Sequence, residues 1–377
     1  MNADRERVAR VALSQLGEPG AIRLAAAVAE MGALDVYASL RHQRTTRGLL
    51  DDVALRLAAL DPERDLELAE RQGIRFVVPS DDEWPDQVDD LDAAEPVDRV
   101  GRSPLGLWVR GPARLDQLRH SVAVVGSRTA TTYGNEVASS IAATVSSAGR
   151  AIISGGAFGI DIAAHRGALA VGGTTIAVLA CGVDRAYPKD HQQLLAEIAA
   201  TGAVVSELAP GRSPMRSRFL SRNRVIAALG TGTVVVEAAI RSGALNTANW
   251  SARLNRVLMG VPGPVTSPLS QGVHTMLRGA SAALVTGGDD VLELVGESGT
   301  HLVEVPRGPV RTRDRLSQRQ RQVLDATPLV APARTDAVAR TAGMALLEVG
   351  STLALLARHG LVQHDEEGWR QARAAGR

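Results

Sequence analysis

An α/β fold with a doubly wound parallel sheet is what this sequence predicts, and three observations carry it. The first is a series of short aliphatic runs: Val122–Val125, Ala151–Ser154, TTIAVLA from Thr174, AVVS from Ala203, TVVVEA from Thr233 and RVLMGV from Arg256. Runs without polar alternation read as strands buried on both faces. The second is spacing. Each run is separated from the next by a stretch long enough for a helix, and in the first of these Val137, Ile141 and Val145 recur every fourth residue on one face. Strands alternating with helices give a parallel sheet covered on both sides. The third is the position of glycine. Gly126-Ser127-Arg128 ends the first run and Gly155-Gly156-Ala157-Phe158-Gly159 ends the second. Ligands of such sheets sit beyond the carboxyl ends of the strands.

Composition bounds the function. The 377 residues suggest two or three domains, and 45% apolar residues are enough for sizeable cores. A net charge of +1 makes no global demand for nucleic acid, so local clustering must carry any such reading. Of the 42 basic residues only Lys189 is a lysine, so an anion here meets mainly planar, bidentate guanidinium groups. The single Cys181 excludes an intrachain disulfide and a cysteine-rich metal site. MNADRERVAR has no apolar core of a signal peptide, and no apolar run reaches membrane-spanning length. The expectation is a soluble, cytoplasmic protein that touches no membrane.

In chain order, residues 1–65 read as a small helical domain. Its LGEPGAIRL (Leu16 to Leu24) admits two readings, a helix-hairpin-helix phosphate turn or an ordinary connection. Residues 70–297 form the core, with short strands near GIRFVV and PLGLWVRG added to one sheet edge. Asp81, Asp82 and Glu83 between them are either metal ligands or a solvated acidic loop. Residues 298–315 read as a basic linker with Arg307, Arg311, Arg313 and Arg315. Residues 316–371 read as three helices and a two-stranded wing turning at Glu367-Gly368, a winged helix-turn-helix. Its third helix offers only Ser351, Thr352 and Arg358 as exposed polar candidates for duplex contact, so duplex binding, protein interaction and a purely structural role all stay open for the wing.

The candidate chemistry lies in the core loops. Gly126, Ser127 and Arg128 suit an anion: backbone N–H groups ahead of a helix, completed by a guanidinium fork. Gly155, Gly156 and Gly159 form a second glycine loop whose spacing is neither a dinucleotide fingerprint nor a phosphate loop, so no cofactor is expected. Asp161 and His165, four apart, are either an acid–base pair or a helix-terminal carboxylate and a bystander. The richest stretch carries Arg212, Arg216, Arg218, Arg222 and Arg224 with Phe219 among them. So many cations in one segment call for an anion, and an aromatic among them suits single-stranded nucleic acid. Phe158, Phe219, Tyr133 and Tyr187, four of the six Phe and Tyr residues, lie in or beside these loops. Since the first and fourth strands of a doubly wound sheet adjoin, Arg128 and the Arg222–Arg224 segment are expected to face each other across one crevice.

Together, VAVVGSRTATTYG, ISGGAFGIDIAAHRGAL, TIAVLACGVDRAYPKDHQQL, VVSELAPG, FLSRNRVIAALG, VVVEAAIRSGALNTANWS and VPGPVTSPLSQGVHTMLRGA resemble the DNA-processing protein A (DprA, or Smf) family, in order across about 150 residues of core. The resemblance implies a Rossmann-like core that binds single-stranded DNA without catalysis, forms a homodimer, and helps load the RecA recombinase in natural transformation. It also implies flanking helical and winged-helix domains. Carried over by motif, the DNA pocket takes Ser127, Arg128, Phe219, Arg222, Asn223 and Arg224. Arg216 holds the basic position before the Phe, Arg218 lies beside it, and Gly155, Gly156 and Gly159 shape the floor. A second class resembles the same core: lysine-decarboxylase-like enzymes that release a base from a nucleoside monophosphate. Their P-G-G-x-G-T-x-x-E motif is missing here, where EAAIRSGALNTAN follows from Glu237.

Overall fold

The computed structural model describes residues 2–42, 56–297, 299–301 and 312–372. The chain forms two compact units, residues 1–303 and 304–377. The first contains a nine-stranded sheet: β1 (Ile74–Val77), β2 (Leu107–Arg110), β3 (Val122–Val125), β4 (Ile152–Ser154), β5 (Thr175–Val178), β6 (Ala203–Ser206), β7 (Gly232–Val235), β8 (Val257–Gly260) and β9 (Ala283–Leu284). Their order is β1-β2-β6-β5-β4-β3-β7-β8-β9. All pairs are parallel except β1–β2 and β2–β6. The two antiparallel strands are the edge pair that the sequence predicts.

Every residue of β3, β4, β5, β6 and β7 is buried. Alternation divides them between two cores. Val122 and Val124 pack with Ile141, Val145 and Ala164 from the helices Thr132–Ser147 and Ile160–Ala170. Ala123 and Val125 pack on the opposite face with Val225, Ile226 and Trp250 from the helices Arg216–Leu229 and Ala244–Arg253. Leu194, Leu195 and Ile198 of the helix Gln192–Thr201 cover β2, β5 and β6 with Trp108 and Val204.

One topological expectation is corrected. β3 and β6, the first and fourth core strands, are not neighbours: β5 and β4 lie between them, and β3 adjoins β4 and β7. After β6 the chain returns over the sheet through the helix Arg216–Leu229, which is buried from Ser221 to Leu229. The strand order reverses at β3 and β7, and the helix brings its amino-terminal end back to that point.

The helices Asn2–Leu16, Ile22–Met31, Ala33–Arg41 and Pro62–Arg71 belong to the same unit as the sheet. Arg7 donates to both carboxylate oxygens of Asp81 at 2.8 and 2.7 Å, and Asp81 also accepts from the Val78 N–H at 2.9 Å. Glu83 takes the guanidinium of Arg75, with Nε at 2.8 Å. This acidic loop thus fastens helix and edge strand, a third role beside the two read from sequence. No group of three or more His, Cys, Asp or Glu side chains is placed to hold a metal ion among the described residues. Nor, among them, is any single helix long and apolar enough to cross a membrane.

The second unit contains the helices Gln318–Ala326, Thr335–Ala342 and Leu346–Arg358 and the hairpin β10 (Val362–Asp365)–β11 (Gly368–Gln371). Ser317 and Gln320 close a capping box on the first helix. Gly343, at φ +62°, makes the turn between the second and third. Val323, Val338, Val349, Leu353, Leu356 and Val362 form its core. The hairpin turns at Glu366-Glu367, one residue before the expected place, because Asp365 pairs with Gly368. Arg307 and Arg311 of the basic linker lie outside the described residues. Arg313 is paired with Asp325.

Candidate nucleic-acid interface

A cleft of about 630 Å³ opens beyond the carboxyl ends of β3 and β7, at the reversal of strand order. Gly126, Ser127 and Arg128 form one wall, and Arg216, Phe219, Arg222 and Asn223 another. The first wall is fixed to β7 by Glu237. Ser127 N–H donates to the Glu237 carbonyl at 2.7 Å, and its buried carboxylate accepts from Thr131 N–H at 2.9 Å and Thr131 Oγ1 at 2.6 Å. Gly126 is required there, because a Cβ would overlap Ile160 and the Glu237 carbonyl. Gly159, at φ +76°, turns the second loop beneath the first, and Ile160 N–H donates to the Ser127 carbonyl at 3.2 Å.

The arginines divide sharply. The Arg128 guanidinium lies over the Phe219 ring, 4.8 Å from its centroid, and the Tyr187 ring packs against Phe219 at a 49° tilt with its centroid 5.6 Å away. Arg128 and Arg216 are exposed and enter no ion pair among the described residues. Three others are already neutralised or enclosed, which corrects the expectation that the segment as a whole needs an anion. Arg218 holds both carboxylate oxygens of Glu18, at 2.7 and 2.8 Å. Arg224 is fully buried and clamps Glu207 with two bonds of 2.6 Å, out of a ligand's reach. Arg222 is buried and donates to the carbonyls of Gly155, at 2.6 Å, and Val178. Its guanidinium fills the space a side chain at Gly155 would need. Burial lowers the Arg222 pKa to about 10, which leaves it charged at neutral pH.

Asp161 and His165 make no acid–base pair. The Asp161 carboxylate accepts from the Gly155 and Ala157 N–H groups, both at 3.2 Å, and so shapes the glycine loop; burial pushes its pKa up. His165 is buried with Nδ1 2.7 Å from Thr175 Oγ1, and burial lowers its pKa to about 3.

Sequence reasoning missed Arg241, in the turn after β7, and Asn246, in the first turn of the helix Ala244–Arg253; both line the cleft. Arg241 is exposed and enters no ion pair among the described residues. Asn246 accepts from Asn223 Nδ2 at 3.4 Å. The signal for Arg241 was the same one used for Arg128, a polar turn at the carboxyl end of a buried strand, but it lacks a neighbouring aromatic or cluster.

This geometry can hold a chain of negative charges beside a stacking face. Arg128, Arg216 and Arg241 provide free guanidinium groups around one opening, and Phe219 and Tyr187 provide aromatic faces. The sequence pattern of the family described as DNA recombination-mediator protein A matches residues 75–296. The putative DNA processing protein DprA of Mycobacterium tuberculosis is 43% identical over 96% of this chain and 93% of its own.

The chain belongs to the DNA recombination-mediator protein A family.

Among its relatives, DNA processing protein DprA of Streptococcus pneumoniae is 40% identical over 50% of this chain and 66% of its own. The X-ray structure of the Streptococcus pneumoniae protein superposes with a TM-score of 0.62 at 29% identity, covering 76% of this chain and 96% of that one. The DNA processing protein A of Helicobacter pylori, whose structure concerns its single-stranded DNA binding mode, superposes with a TM-score of 0.51 at 26% identity, covering 58% and 94%. The Rossmann-like core expected from the sequence is therefore the fold of this family.

Proposed function

We propose that this protein is a single-stranded DNA-binding recombination mediator whose cleft holds the strand. One observation carries the reading: Arg128 stacked on Phe219 at the strand-order reversal, with Arg216 and Arg241 unpaired around the same opening. Unpaired guanidinium groups bind phosphates, and an aromatic face accepts any base. In this reading the strand is held rather than chemically changed. The protein works as a homodimer, protects incoming DNA and helps to load the RecA recombinase in natural transformation. The single-strand binding described for the Helicobacter pylori relative supports it.

The test is a binding titration with single-stranded and duplex oligonucleotides of equal length at several salt concentrations. The expected result is tighter binding of single strands, weakening with salt by about 0.7 counterion per neutralised phosphate. Equal or tighter binding of a blunt duplex by the unit 1–303 contradicts the reading. Release of free base from nucleoside monophosphates would replace it with the hydrolase.

A further inference from the structure

We propose that a groove beyond Tyr187 is a second binding stretch for the same single strand; this rests on the reading of the cleft given above. The groove, about 580 Å³, is close in size to the cleft. Tyr187 lines it, while Phe219 and Arg128 line the cleft. The two cavities therefore adjoin at the contact of Phe219 with Tyr187, whose ring centroids are 5.6 Å apart. A strand that stacks a base at this aromatic pair is delivered from one to the other.

The groove's lining suits nucleotides. Leu179, Leu195 and Val204 make an apolar floor, and Arg110, Arg185 and Lys189 stand around it. All three cations are exposed and enter no ion pair among the described residues. The one acidic lining residue, Asp184, is occupied by the Gly211 N–H at 2.8 and 3.0 Å. Arg110 ends β2, which runs antiparallel to β6 and pairs Arg110 with Val204. The groove thus extends from the loop after β5 down the side of β6, away from the cleft. Cations spaced along a trough fit a row of phosphates, and an apolar floor fits bases.

The experiment measures affinity of the full chain for labelled oligothymidylates of about 4 to about 16 nucleotides, the range of single-strand site sizes. The variants are the double substitutions Arg110→Ala with Arg185→Ala, and Arg110→Lys with Arg185→Lys. The alanine pair should match the parent on the shortest strands and lose on the order of tenfold or more on the longest. Its salt dependence on long strands should fall by about 1.4, for two phosphate contacts. The lysine pair should recover most of the affinity. Thermal melts coincident with the parent establish that the exposed substitutions leave the fold intact. Parent-like affinity at every length, or an equal loss at every length, overturns the groove while leaving the cleft standing. Failure of the parent to bind any single strand removes both readings.

Discussion

Arg128 and Phe219 touch, so their contributions to binding should not be independent. Phe219→Ala should cost on the order of 1–3 kcal/mol of single-strand affinity with little change in salt slope, because stacking is not ionic. Arg128→Ala should weaken all sequences alike and reduce the slope, because a phosphate contact carries no base information. The double variant should lose less than the sum if these two groups, 4.8 Å apart, hold the same nucleotide. A folded Arg128→Ala protein that binds like its parent would exclude this cleft. His165 bears instead on acid stability. Burial holds its imidazole at about 3, below the ordinary 6.5, so as pH falls through 6.5 the unfolded chain takes up a proton that the folded chain refuses until about pH 3. Its stabilising contribution is complete above pH 6.5 and declines by about 1.4 kcal/mol per pH unit down to about pH 3. In urea titrations across that window the parent should lose stability relative to His165→Gln. A constant difference between them would show that the site accommodates the charged ring.

The helix Arg216–Leu229 is the element on which the cleft depends, and its attachment was the least legible part of the sequence. Each core strand could be read from its aliphatic run, and the loops after β3 and β4 from their glycines. Strand order could not, because the return from β6 to β7 passes over β5, β4 and β3 rather than stepping to a neighbour. The fates of the arginines were hidden for a similar reason. Glu18, which takes Arg218, lies 200 residues away, and Glu207 meets Arg224 only after a loop and the first turns of the helix. Local sequence shows the cations and not which of them are spent. The Arg224–Glu207 clamp ties the helix to the chain leaving β6. Arg224→Ala leaves a carboxylate that is mostly buried without its partner and should cost about 3–5 kcal/mol of stability. Calorimetry should show a lowered melting temperature, and a variant as stable as the parent would leave the clamp without structural weight.

At the scale of the molecule, the compact unit 1–303 contains the whole cleft, so truncation after residue 303 should leave single-strand affinity within a few-fold of the parent. A loss beyond tenfold would bring the basic linker or the three-helix tail into the DNA path. The proposed homodimer has an edge available at β9, two residues long, where Leu284 is 56% exposed. An unpaired strand edge with an exposed aliphatic side chain favours association. Leu284→Arg should lower the mass measured by light scattering at a concentration where the parent is dimeric, and an unchanged mass would assign the contact to another surface. The loop between the cleft and the groove has a practical use as well. Lys189 is exposed there and is the only lysine in the chain. An amine-directed reagent therefore has a single side-chain target in 377 residues, beside the proposed route of the strand. With the α-amino group masked, modification reports on that point with no residue replaced, and because Lys189 is itself one of the groove's cations, its protection by a bound strand would register occupancy of the groove.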